Sequence, residues 1–203
     1  EKQKGPGERS DHIGGWVRYG NKDLKSKPVF QKFLDPLQGV GSEHSKLIYE
    51  LSVFFWRLSL WLTLEQVDTP GIVSMISPRA YISSPGHMGM RQCMREWSDL
   101  IRIIDLGGDS RGAKKSPNIF AIQTGVSIGL AASFPTTRKT PPAKVQYVEF
   151  TGNAEEKLAR LSEDPSLISN WRTCDSQQDA FLPLKESNYH TFPRLTDIFP
   201  WQI

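Results

Sequence analysis

A chain of 203 residues, 38 % hydrophobic and 23 % charged, has the make-up of a globular protein with one core and room for part of a second unit. Its net charge of +3 and pI near 8.9 permit a nucleic-acid partner without requiring one. Two cysteines, Cys93 and Cys174, far apart and without a Cys/His companion at ligand spacing, exclude a zinc site and a disulfide scaffold and make a reducing, cytoplasmic compartment the default.

Residues 1–45 read as an irregular arm: they are glycine-rich, show no apolar signal-peptide core, and hold one aromatic island, "GGWVRYG". The run "KLIYELSVFFWRLSLWLTLEQV" predicts a helix over 46–66. Glu50 and Arg57 interrupt it, so no uncharged stretch reaches the roughly 18 residues of a membrane span. Apolar side chains on most of its faces predict burial between other elements. "TPGIVSMISP" predicts a strand over 72–77, ended by Pro78. In "SSPGHMGMRQCMREW", Ser84 suits a helix N-cap and Pro85 the first helical position, with Met90, Met94 and Trp97 on one stripe. "LIRIIDL" predicts a strand over 101–106. Strand, helix and strand make the two strands parallel neighbours. The run "FAIQTGVSIGLAASF" predicts a third strand within 121–133, too close in sequence for another helical crossover and therefore antiparallel to its predecessor. After Phe134 come a basic linker, "PTTRKTPP", a strand, "KVQYVEF", and a short helix, "NAEEKLARLSE", capped by Asn153 with Glu156 three residues on. A proline- and aromatic-rich tail follows. Three segments result: the arm at 1–45, a partial α/β domain at 46–134, and at 135–203 an extension leading toward a further region.

Parallel strands deliver ligands to their carboxyl edge. Two loops leave from that edge, Gly107–Asn118 and Pro78–Tyr81. The chain holds no GxxxxGK[ST], GxGxxG, GxSxG or HExxH pattern, and "GVGSEH" matches the dinucleotide fingerprint only loosely and follows a loop. The four histidines are scattered. Met88 and Met90 fit core better than a soft-metal site. Asp105, at a strand end, suits either a catalytic carboxylate or a turn cap. No catalytic or metal-binding set can be assembled. Arg111, Lys114 and Lys115 in the loop, and Arg138, Lys139 and Lys144 in the linker, suit either phosphate neutralisation or plain solvation.

The block from "PGIVSMISP" through "MRQCMREW", "LIRIIDLGGDSRGAKKS" and "PNIFAIQTGVSIG" resembles the second half of a γ-class adenine-N6 DNA methyltransferase. In that family an apolar strand ending in Pro, a helix with a basic turn, an "IDL" strand and an "NVFxxQT"-like strand follow in this order. "GGWVRYG", "HSKLIYELSVFFWRLSLW" and "FPRLTDIFPWQ" narrow the resemblance to Type ISP-like single-polypeptide restriction–modification and related phage-defence enzymes. It touches most of 12–134 and returns at 189–202. The family's glycine-rich cofactor-binding half and its Asn-Pro-Pro-aromatic motif have no counterpart here.

The resemblance implies the C-terminal half of a Rossmann-like methyltransferase sheet, with two parallel strands, one antiparallel strand and helices on its faces. It further implies that the chain is a piece of a larger polypeptide, inactive alone, whose parent uses S-adenosylmethionine while this segment binds none. Family chemistry accepts the hydrogens of adenine N6 on the Asn side chain and Pro carbonyl of the absent motif and stacks an aromatic ring on a base extruded from the duplex. This segment would supply the far wall of the pocket, through Pro78, Arg79, Tyr81, Asn118 and Phe120. Arg111, Lys114 and Lys115 would face the phosphates of double-stranded DNA. Tyr81 would stack on a base or simply pack; Asn118 would touch the pocket or simply end a turn. Partners are then DNA and the rest of the same polypeptide, with no membrane. The competing reading is a non-enzymatic α/β interaction or scaffold module; a small hydrolase lacks any nucleophile–base–acid set.

Overall fold

The computed structural model describes residues 15–20, 27–37, 48–66, 69–109, 116–134, 142–175 and 179–184. Two short helices, α1 (Gly15–Tyr19) and α2 (Gln31–Leu34), precede α3 (Leu51–Leu60), which runs on through a π turn at Trp61–Glu65. Then come β1 (Gly71–Pro78), α4 (Met88–Trp97), β2 (Leu100–Gly107), β3 (Val126–Ser133), β4 (Lys144–Glu149), α5 (Ala154–Ser162) and β5 (Arg172–Cys174). The fold is mixed α/β, with one five-stranded sheet in the order β1-β3-β2-β4-β5, compatible with half of a Rossmann-like sheet.

β1 and β2 run in the same direction, as the strand–helix–strand spacing requires, yet they are not neighbours. β3 lies between them and pairs antiparallel with both: Ser133–Val126 matches Gly71–Pro78 on one side, and Ala132–Val126 matches Leu100–Gly107 on the other, with a register shift between Asp105 and Gly107. A helical crossover can skip one strand position, and a returning strand that fills the gap satisfies its backbone groups on both edges. The expected antiparallel return therefore holds and the expected adjacency does not. β4 pairs parallel with β2, and β5 antiparallel with β4, so the sheet continues past residue 134.

The third strand starts at Val126, later than the sequence pattern suggested. Residues 119–124 bend instead, because the Asn118 side chain captures the carbonyls of Ile122 and Thr124 at 3.0 and 2.9 Å. A strand would need those groups for its ladder. Ser84 stands at the N-cap of a single 3-10 turn, Pro85–His87, without a side-chain cap bond, and α4 begins only at Met88.

One face of the sheet presents Val73, Ile101, Ile103, Ala131, Val145 and Tyr147 to Trp56 and Leu60 of α3 and to Met90, Met94 and Trp97 of α4. The stripe spacing in α4 places its long apolar side chains inward. α3 is buried on one side only. Leu51, Phe55 and Leu62 lie exposed on its outer side among the described residues, so it covers the sheet and is not itself enclosed. The opposite face packs Leu106, Val126, Val148 and Phe150 with Leu161 of α5. No helix among the described residues is long and apolar enough to cross a membrane.

Candidate functional site

β1, β2 and β4 point the same way, so Pro78, Gly107 and Glu149 lie along one edge of the sheet, with the start of β3 between the first two. Just inside that edge, Asp105 is 0 % exposed. Its Oδ2 accepts the Tyr147 hydroxyl at 2.8 Å and ion-pairs with the Arg79 guanidinium. Its Oδ1 accepts the Gly107 N–H at 2.9 Å. One carboxylate thus joins the ends of β1, β2 and β4. Of the two roles open to it, the turn-capping one is realised.

Electrostatics keep the protons where the geometry needs them. Burial pushes the Tyr147 phenol up, and the adjacent Asp105 charge adds to the shift. Burial works against the charge on Arg79, but the Asp105 carboxylate outweighs it and holds the guanidinium above its ordinary range. The Arg79 side chain remains 39 % exposed, facing the same edge. Its backbone N–H donates to Gly125 O at 3.0 Å, which draws the end of β1 against the start of β3. A Cβ at Gly125 would lie 2.6 Å from Arg79 Cδ, so glycine is what lets the two loops close on each other. Arg79 thus meets Asp105 of β2 and Gly125 at the start of β3 on this edge.

Pro78 ends β1 opposite Val126 and is half-buried. Of the two uses open to it, Tyr81 realises packing. It is 2 % exposed, its hydroxyl accepts the Ser127 hydroxyl at 3.1 Å, and its ring packs 5.7 Å from that of Trp56. The 3-10 turn at Arg79–Ile82 folds the ring back under the sheet, so it packs and offers no face to a base. Burial, the larger effect, pushes its phenol up against the opposing hydrogen bond from Ser127.

The β2–β3 loop is closed at its neck. Gly107 and Gly108 take φ of +59° and +90°, conformations that suit glycine. Gly108 N–H donates to Ser116 Oγ at 2.7 Å, and Asn118 Nδ2 donates to Gly108 O at 3.1 Å. Asn118 also organises the apex, since its Oδ1 accepts the Phe120 N–H at 3.0 Å. It is therefore more than a turn terminator. The apex leaves Phe120 and Ile122 44 % and 49 % exposed. Arg111, Lys114, Lys115, Arg138 and Lys139 lie outside the described residues, whereas Lys144 is exposed at the start of β4.

Two members of this edge escaped the sequence reading. Tyr147 looked like an ordinary strand aromatic. Lys157 of α5 is 1 % exposed, with Nζ donating to Leu106 O and Pro117 O, each at 2.7 Å. The available signal was its place between Ala154 and Leu161 on the inward stripe of α5, where an apolar residue is the norm. Among the described residues, no group of three His, Cys, Asp or Glu side chains could hold a metal ion.

No family model matches the sequence, and no curated protein matches it. Solved structures do. An ATP-dependent Type ISP restriction–modification enzyme, LlaBIII, bound to DNA superposes with a TM-score of 0.63 at 18 % identity, covering 75 % of this chain and 10 % of that one. A nuclease-deletion mutant of the Type ISP restriction–modification enzyme LlaGI, in complex with a DNA substrate mimic, gives 0.64 at 19 % identity over 86 % and 17 %. A DrdV–DNA complex gives 0.55 at 21 % identity over 65 % and 13 %. The chain thus spans between 10 % and 17 % of those proteins, and within that span it shares their fold.

Proposed function

We propose that this chain forms a wall of the base pocket and the DNA-facing loops of a DNA adenine-N6 methyltransferase within a restriction–modification or phage-defence enzyme. The observation that carries the reading is the β2–β3 loop. It leaves the ligand-binding edge of the sheet, is braced at its neck, presents Phe120 and Ile122 to solvent, and includes Arg111, Lys114 and Lys115 in its sequence. An exposed aromatic side chain in a loop whose sequence is basic suits a nucleobase flanked by phosphates. The shared fold with segments of restriction–modification enzymes, solved with DNA, supports the same assignment.

In this reading the chain itself does not hold S-adenosylmethionine. The glycine pair at the end of β2 spends the Gly108 N–H on Ser116 and its carbonyl on Asn118. The cofactor and the groups that polarise adenine N6 belong, in this reading, to other parts of the enzyme. Arg79 and Phe120 act here by binding and orienting.

The test is DNA affinity of the intact enzyme at several salt concentrations, with Arg111, Lys114 and Lys115 changed together to Ala. Each lost phosphate contact lowers the slope of log affinity against log salt by about 0.9, whatever the sequence. Phe120→Ala weakens binding without changing that slope. If the triple variant leaves both affinity and slope unchanged, the loop is solvated decoration and the reading falls.

A further inference from the structure

We infer that Lys157 is a positioning residue for the β2–β3 loop, through which α5 sets how Phe120 is offered to a base. The inference rests on the reading of Phe120 as a base-stacking side chain.

Lysine is seldom fully buried, and here the ammonium is held by Leu106 O and Pro117 O, one carbonyl from each side of the loop neck. Burial works against its charge, and Asp105 and Glu149 offset that only in part from farther away. Stability alone would favour the opposite arrangement. The adjacent Leu158 is exposed while Lys157 points inward, although an apolar side chain in that place would need no desolvated charge. What the ammonium supplies, and a leucine lacks, is a fixed separation between two carbonyls.

The contacts form an unbroken chain to the apex. Lys157 holds the Pro117 carbonyl, and Asn118 is the next residue. Its side chain accepts from Phe120 N–H at 3.0 Å and donates to Ile122 O at 3.0 Å and Thr124 O at 2.9 Å. On the other side of the neck, Leu106 precedes the Gly107–Gly108 turn that Asp105 and Ser116 hold. The apolar cluster of Leu106, Val126, Val148 and Phe150 also packs Ile119 of the loop and Leu161 of α5, and the two carbonyl anchors add direction to that contact.

The experiment measures binding of a single-stranded oligonucleotide carrying one 2-aminopurine, whose fluorescence responds to stacking, together with thermal unfolding. Phe120→Ala is expected to weaken binding roughly 5- to 100-fold and to abolish the fluorescence change. Lys157→Met, which keeps the apolar stem, is expected to lose about 3- to 10-fold and most of the fluorescence change with Phe120 still present. Lys157→Arg restores both to within about twofold, which a purely structural loss of packing does not predict. If Phe120→Ala acts and Lys157→Met binds like wild type, the positioning role is overturned and the base-stacking reading stands. If Phe120→Ala itself does nothing, that reading fails and takes this inference with it. Should Lys157→Met not fold, Lys157→Gln, which retains a donor group, is judged by the same readouts. Reductive methylation of the wild-type protein adds an independent check: Lys157 must react after the exposed Lys32 and Lys144, and equal reactivity overturns the proposal.

Discussion

Single side chains at this sheet edge have uses that their residue types alone do not announce. Asp105 is buried with three donors, and its ion pair is the most exposed part of the set. Asp105→Asn keeps the shape but weakens the partnership with Arg79, and because Arg79 can turn to solvent the loss should be about 1–2 kcal/mol in urea unfolding. Gly129 marks a second tight spot, since a Cβ there would lie 2.5 Å from Tyr81 Oη and 2.9 Å from the Trp56 ring. Two packed aromatic rings cannot yield cheaply, so Gly129→Ala should cost roughly 1–3 kcal/mol by the same measurement. His87 supplies a pH dependence. Burial first, and the Arg91 charge second, lower its imidazole to about 4, and its Nδ1 has no hydrogen-bond partner among the described residues. The unfolded chain therefore takes up a proton near pH 6.5, before the folded one does. Stability is complete above that value and falls as the pH drops toward 4, by roughly 2 kcal/mol at pH 5. His87→Gln should flatten that part of the stability profile, and an unchanged profile would remove His87 as its source.

Whole elements carry the next level of control. α5 begins with a reciprocal capping box, in which Asn153 Oδ1 accepts the Glu156 N–H at 2.9 Å and Glu156 Oε2 accepts the Asn153 N–H at 2.8 Å. Asn153→Ala should lower stability by about 1 kcal/mol in urea unfolding. The same change should quicken amide exchange in the β2–β3 loop, because Lys157 links the helix to the neck. The elements themselves were largely legible. Periodicity and turn residues placed β1, β2, β4, α4 and α5 to within a few residues, and the Asn153–Glu156 spacing foretold the cap. The start of β3 was not legible, since "FAIQT" has strand chemistry and only the Asn118 side chain diverts it. Nor was the one-sided burial of α3, whose outer Leu51, Phe55 and Leu62 are as apolar as its inner stripe.

For the molecule as a whole, the sheet edge is assembled from segments 70 residues apart in sequence, from Arg79 to Glu149. The described residues offer an aromatic and cationic surface there, and the proposed reading places S-adenosylmethionine in other parts of the enzyme. Calorimetry on the 203-residue chain should accordingly detect no stoichiometric uptake of that cofactor at micromolar concentration. Stoichiometric binding would show that the reading of this segment as the cofactor-free part is mistaken.

What the amino-acid order determined by itself is whatever depends on neighbours within a turn or two. It set the period-2 and period-3.6 runs, the glycine turn after β2, the capping of α5, and the antiparallel return that a short connection compels. Only the tertiary structure decided which strand lies between which, because a crossover can skip a position at no local cost. It also decided that Tyr81 packs while Phe120 stays exposed, and that Lys157 points inward while Leu158 points out. Those choices depend on partners such as Ser127, Trp56, Leu106 and Pro117, which lie tens of residues away and leave no mark on local pattern.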